Sequence, residues 1–264
     1  MKKETPFKHY TEASLLSPQH PVTIYLIGCG GTGSQVLNNL ARTHKALTAL
    51  GHPGFHVTVF DNDIVTEANL GRQLFAPAEL GLNKATALVT RVNRFFGLQW
   101  NAKPQLFDLD NQKIQANILI TAVDNVKIRL EIGKVFHSKK SDSYHSSSEK
   151  CNYYWLDIGN SKSTGQIILG TRGEIEQPAK TKNTVKHLPC ITHLFPDLKK
   201  HEDKDQTPSC SLAEALTKQD LFINSILAQY AVNLLWKMFR EASIQYHGLY
   251  VNLETMNTNP INVK

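Results

Sequence analysis

Ile24-Tyr-Leu-Ile-Gly-Cys-Gly-Gly-Thr-Gly-Ser34 joins an apolar run to a glycine cluster and then to the start of a helical pattern. That order spells a buried strand, a phosphate-binding turn and a helix. Gly28, Gly30 and Gly33 form G-x-G-x-x-G, with Gly31 inside it. The first glycine permits the tight turn, the second lets backbone approach a phosphate, and the third lets the helix pack on its strand. The amino-terminal end of the helix then faces the anion. Alone, the turn does not separate a dinucleotide from a flavin or from ATP.

The flanking sequence extends this unit. Val22 to Ile27 reads as the first strand, and Ser34 to about Leu50 places Val36, Leu37, Leu40, Ala41 and Leu47 at near-helical spacing. Phe55 to Phe60 reads as the second strand, with Asp61 at its carboxyl end, where a doubly wound sheet binds ligand. Asp61 to Gln73 is polar and loop-like, Ala85 to Phe96 helical, Ile118 to Val123 a parallel-type strand ending at Asp124, and Val126 to Phe136 helical. Beyond a Ser-rich interruption at 139–150, Tyr153 to Ile158 and Gln166 to Leu169 read as strands, Leu221 to Phe239 as a helix and Tyr250 to Leu253 as a final strand. The expected fold is α/β, with a mostly parallel sheet continued by an antiparallel part. Residues 1–20 read as an arm, 21–255 as the main domain with a long mobile loop at about 174–208, and 256–264 as a tail.

With 264 residues, 41% of them hydrophobic, the chain can bury a sizeable core. No apolar run reaches the roughly 20 residues of a membrane span, and the first residues lead into no apolar signal core, so the expectation is a soluble cytoplasmic protein with no membrane partner. Its net charge of +6 is scattered and suits a polyphosphate or acidic partner; no motif calls for nucleic acid. Cys29, Cys151, Cys190 and Cys210 form no C-x-x-C pair, so no structural zinc and no disulfide framework are expected.

Five motifs follow one another in order: Gly28-Cys-Gly-Gly-Thr-Gly33, Asp61-x-Asp63-x-Val65, Asn69-Leu-x-Arg-Gln73, Gly81-x-x-Lys84 and Asp124-Asn-Val-x-x-Arg129. This series resembles the ThiF/MoeB and ubiquitin-activating (E1-like) family of adenylating enzymes, and within it the ThiF-type members of the bacterial PRTRC gene systems. The resemblance implies a Rossmann-like adenylation fold, a homodimer, and ATP-dependent activation of the C-terminal glycine of a small ubiquitin-like or sulfur-carrier protein.

It also implies residue roles. Arg72 and Lys84 hold phosphate oxygens, Arg through a planar fork and Lys as a movable point charge. Asp61 takes the ribose hydroxyls, Asn69 and Gln73 position the phosphates and the Arg72 loop, and Asp124 is the Mg2+ ligand. Asp63 fits the site or, equally, a turn residue bonded to its own backbone. Asp124 also reads as a helix cap, and Arg129 as a residue packed along a helix face or a salt-bridge partner. Cys210, in Pro208-Ser-Cys-Ser-Leu, resembles the thioester-forming cysteine segment of the family, with an ordinary buried thiol or a zinc-pair remnant as alternatives; Cys190 is the second candidate and Cys29 a packing residue. The family's N-terminal arginine is missing, since none precedes Arg42, and Lys8 or another basic group is its available substitute. The competing readings are a nonenzymatic nucleotide-binding adaptor and an NAD-dependent oxidoreductase.

Overall fold

The structure is a computed structural model describing residues 6–110, 113–137, 153–201, 214 and 217–264. Cys151, Cys210 and the Ser-rich stretch at 139–150 lie outside the described residues. No helix among the described residues is long and apolar enough to cross a membrane.

The described strands and helices are β1 (His9–Tyr10), α1 (Ala13–Leu16), β2 (Val22–Ile27), α2 (Gly31–Ala49), β3 (Phe55–Phe60), α3 (Lys84–Phe96), β4 (Asn101–Lys103), β5 (Ile118–Thr121), α4 (Val126–His137), β6 (Tyr154–Asn160), β7 (Thr164–Thr171), α5 (Ile191–Leu194), α6 (Ile223–Glu241), β8 (Ser243–Ile244), β9 (Tyr246–Asn252) and β10 (Asn257–Asn262). Eight strands form one sheet in the order β10-β9-β7-β6-β5-β2-β3-β4. Strands β4, β3, β2, β5 and β6 run parallel, and β7, β9 and β10 continue the sheet antiparallel. The expected α/β architecture is therefore present.

Alternation along the strands divides the interior. Ile118, Ile120, Tyr154, Leu156, Ile158, Ile167 and Leu169 face the layer built by α2, α3 and α6. Leu119, Trp155 and Ile168 face the other way, onto α4 and the Cys190–Leu198 segment. A strand buried on both faces reads as a continuous apolar run, and β2 and β5 do so. After β2 the chain winds to β3 and β4, then returns to place β5 on the other side of β2. The order reverses there, opening a crevice at the carboxyl ends of β2 and β5.

Three expectations are corrected. The N-terminal segment is no free arm: β1 pairs with β8, and buried His9 bonds Val185 O and the Tyr154 hydroxyl. The 174–208 loop is anchored in its middle, where Leu188, Cys190 and Ile191 are buried against the sheet. Residues 256–264 are no tail, since β10 closes the sheet by pairing with β9 from Asn257 to Asn262. In all three cases the partners are distant in sequence or the strand is polar, so local apolar periodicity carries no signal.

Candidate functional site

The crevice is floored by the glycine turn. Gly28 has φ +86°, and a Cβ there would lie 2.6 Å from Ala122 O, the carbonyl just beyond β5. A Cβ on Gly33 would collide with the Gly28 carbonyl, so the third glycine lets α2 start directly against the turn. Gly30 stays open, with only Gln73 Nε2 near a built Cβ, at 3.9 Å. Cys29 is fully buried in the turn, as a packing residue should be, and burial together with the Asp61 carboxylate pushes its thiol well above the ordinary range.

Asp61 ties the turn to the next loop. Its carboxylate accepts the Cys29 N–H at 2.7 Å and the Asp63 N–H at 2.9 Å. Asp63 is more than a turn residue, because its carboxylate takes the Lys84 ammonium at 2.9 Å while Lys84 itself is buried at the first position of α3. Asn83 caps that helix on Thr86 N and donates to the Asp61 and Asp63 carbonyls, so the start of α3 and the end of β3 form one unit. Asn69 is buried and accepts from Thr66 N and Oγ1, closing the capping box of a single 3-10 turn at Glu67–Asn69.

Arg72 follows directly. Its Nη1 donates to Gln219 Oε1 at 2.6 Å, and its buried Nε has no partner among the described residues. Burial lowers the guanidinium pKa from its usual value. Neighbouring Gln73 is buried, and its Oε1 is likewise unpartnered among the described residues. Buried donors and acceptors are normally paired, so two open ones on adjacent residues beside the glycine turn mark a place built for a further polar group. Asp124 stands exposed beyond the carboxyl end of β5, and the cap of α4 is Asn125, whose Oδ1 accepts Lys127 N at 2.7 Å; this replaces the expected Asp124 cap. Arg129 makes the expected salt bridge, its Nε lying 2.8 Å from buried Asp157.

A model of the ThiF family matches residues 18–264. The chain belongs to the ThiF family. No curated protein matches the sequence. Among solved structures, E. coli MccB shares the fold with a TM-score of 0.60 and 16% identity, over 94% of this chain and 63% of that one. E. coli MccB with AMPCPP and MccA gives 0.57 and 16%, over 91% and 63%. PaaA gives 0.55 and 11%, over 92% and 64%. This ThiF-family chain therefore spans less than two thirds of the length of these neighbours, and at such identities the likeness concerns the fold.

Within the ThiF-family fold, two site neighbours escaped the motif reading. Asn224 lies at the start of α6, where its Oδ1 accepts the Thr32 hydroxyl at 2.8 Å, its Nδ2 donates to Gln219 Oε1 at 2.8 Å, and a Cβ on Gly31 would lie 2.5 Å from that Nδ2. A signal existed: Asn224 shares the helical stripe of Leu227, Ala228 and Ala231, so a polar residue was aimed into the core. Gln219 carried none, being one polar residue among several. Lys8 lies with Lys237 and Glu241 at the far end of α6, about 20–26 Å of helix from Asn224, and so does not reach the glycine turn of its own chain. Cys190 is buried, and burial raises its thiol pKa, which disfavours the reactive thiolate.

Proposed function

We propose that this chain activates a carboxylate as its acyl-adenylate, using MgATP, and that the carboxylate is the C-terminal glycine of a small ubiquitin-like or sulfur-carrier protein. In this reading it works in the cytoplasm as a homodimer, in the manner its resemblance to the PRTRC-type members implies. One observation carries the proposal: Arg72, Gln73 and Lys84 gather beside the glycine turn at the switch point of the sheet, with the Arg72 Nε and Gln73 Oε1 left open.

The reaction needs little from the protein beyond placement and charge. A carboxylate oxygen attacks the α-phosphorus, the bond to the bridging oxygen breaks, and pyrophosphate leaves with the electron pair. No base is required, because the nucleophile is already ionised. Amide groups at the start of α2 face the phosphates, Arg72 offers its free donors, and Lys84 exchanges Asp63 for a phosphate oxygen. Asp61 keeps acceptor capacity for the ribose hydroxyls, Gln73 bonds the phosphates, and Asn69 acts by fixing the Arg72 loop. Asp124 suits Mg2+, since its carboxylate is exposed and has no hydrogen-bond partner among the described residues; the ion supplies charge neutralisation to the triphosphate. Onward transfer as a thioester would fall to Cys210 and not to Cys190, which is buried.

Partner-dependent ATP–pyrophosphate exchange tests this. Exchange should require the intact carrier C-terminus, and Arg72→Ala or Lys84→Ala should lower its rate by about 2–4 kcal/mol of transition-state stabilisation. ATP binding without exchange, for any intact carrier, would favour the adaptor reading. A thiol-sensitive carrier adduct should vanish in Cys210→Ala and survive in Cys190→Ala.

A further inference from the structure

Gln219 and Asn224, which the motif reading missed, lie on one line of hydrogen bonds with the site. Arg72 Nη1 donates to Gln219 Oε1 at 2.6 Å, Asn224 Nδ2 donates to the same oxygen at 2.8 Å, and Asn224 Oδ1 accepts the Thr32 hydroxyl at 2.8 Å. Asn224 and Thr32 are both buried, at the second helical positions of α6 and α2. We propose that Asn224 is a positioning residue of the phosphate site, holding the first turn of α2 and the Arg72 guanidinium in one fixed relation. This role rests on the nucleotide reading above; Asn224 acts through the turn and through Arg72 without touching ATP.

The guanidinium fixes the direction of every bond in the line. It only donates, so the Gln219 atom facing Arg72 is the oxygen. That oxygen only accepts, so the Asn224 atom facing it is the amide nitrogen, and Asn224 Oδ1 is left for Thr32, whose hydroxyl must donate. The Thr32 hydrogen is thereby committed to Asn224. An anion at the start of α2 then meets backbone N–H groups, since the N-cap is Gly30, which has no side chain to cap the helix.

Packing ties the same amide to the turn. A Cβ on Gly31 would lie 2.5 Å from Asn224 Nδ2, 2.8 Å from Cγ and 3.1 Å from Oδ1, so the amide lies over the Gly31 Cα. Gly30, one residue earlier, stays open. The two glycines therefore serve different needs: Gly30 leaves room for a ligand, and Gly31 leaves room for Asn224. Asn224 is short, buried and bonded at both ends of its amide, so it has no room to move aside.

A second strap runs alongside. Ser34 Oγ donates to Gly31 O at 3.1 Å and accepts from Leu74 N at 3.3 Å, so the Arg72 loop is also fastened to α2 through its backbone. That strap holds the loop and leaves the Arg72 side chain to the line through Gln219 and Asn224. The line engages Nη1, while Nε remains without a partner among the described residues. An arginine loses side-chain freedom when it meets a phosphate, and one held in place beforehand loses less.

MgATP titration of the full-length protein, with melting temperatures measured in parallel, tests this. Asn224→Ala loses both bonds and should weaken MgATP binding at least about tenfold. Gly31→Ala pushes its methyl into the Asn224 amide and should weaken MgATP binding to a similar degree while lowering the melting temperature. In Gly31→Ala/Asn224→Ala the obstructing atoms are gone, so the double variant should melt above Gly31→Ala and bind MgATP no more weakly than either single variant. Because Asn224→Ala touches the core, Thr32→Val is the milder check: it keeps the shape, removes one donor and should weaken MgATP binding about fivefold. In pyrophosphate exchange these losses should fall on the KM for ATP and leave the KM for the carrier unchanged, which a general loss of structure would not do. A folded Asn224→Ala or Thr32→Val protein that binds MgATP as tightly as wild type would overturn the positioning role, and so would losses that add in the double variant. Wild type that binds no MgATP would overturn the nucleotide reading itself, and the positioning role with it.

Discussion

Two arginines separate the molecule into an open region and a closed one. Arg72, in the loop between β3 and α3, meets one neutral amide through Nη1 and leaves its Nε free among the described residues. Arg129, on α4, gives Nε to Asp157 Oδ1 at 2.8 Å and Nη2 to Ile158 O at 3.0 Å. The same Asp157 oxygen accepts the Thr121 hydroxyl at 2.5 Å, and that hydroxyl accepts the Trp155 indole N–H at 2.9 Å. A polar group whose partners come from the chain contributes to stability alone, whereas one held half-buried with donors free is poised for something that arrives.

The largest expected effect attacks the closed region. Arg129→Leu leaves buried Asp157 with its charge uncompensated, and Asp157 Oδ2 already lacks a partner among the described residues. Removing one member of a buried pair costs about 3–5 kcal/mol, so urea unfolding should show a large loss of stability. Arg72→Leu should leave the midpoint within about 0.5 kcal/mol of wild type while weakening ATP binding. Equal destabilisation by the two substitutions would remove the distinction between the regions.

That distinction also explains what could be read in advance. Strands β2, β3 and β5 and helices α2, α3 and α4 announced themselves because each buries a continuous or periodic apolar surface. Strand β4 (Asn101–Lys103) and β10 (Asn257–Asn262) did not, being polar edge strands that exist through pairing with β3 and β9; Pro260 in β10 is tolerated there for the same reason. Within the site, the motif residues were legible by order and type. The contacts were not: the Asp63–Lys84 ion pair joins the end of one strand to the start of the next helix, and the Gln219–Arg72 bond spans 147 residues. Local sequence has no register for such pairings.

The closed region has a second test in pH. His9 is fully buried, and desolvation, opposed in part by its bond to Val185 O and reinforced by nearby His247 and His187, lowers its pKa to about 4 from an ordinary 6.5. The Val185 carbonyl can only accept, so Nδ1 donates, Nε2 accepts from the Tyr154 hydroxyl, and that hydroxyl accepts from Glu12 N. A proton on Nε2 would face a hydroxyl already oriented to donate. The folded-state pKa lies below the unfolded value, so between about pH 6.5 and 4 the unfolded chain binds the extra proton and stability falls as pH falls. The contribution from His9 is at most about 3 kcal/mol. Urea midpoints across that window should slope downward toward acid and flatten in His9→Gln; an unchanged slope would show that other buried histidines, such as His247, carry the dependence.

The smallest effect falls on the open region, at Gln219→Ala. Gln219 Oε1 receives both Arg72 Nη1 and Asn224 Nδ2, and Asn224 in turn accepts from Thr32 on α2, so a short chain of bonds runs from the helix behind the glycine turn to the guanidinium. A guanidinium has five donors in a fixed fork, and Gln219 engages Nη1 alone, so the contact orients Arg72 without consuming it. One hydrogen bond to a charged, half-buried group is worth about 1.5 kcal/mol, or roughly tenfold. The KM for ATP should therefore rise by up to about tenfold while kcat stays nearly unchanged, because the donors that would face the phosphates remain. A lower KM in Gln219→Ala would mean that the amide competes with the nucleotide for Arg72 instead of aiming it, and the open region would then be one that ATP must first unlock.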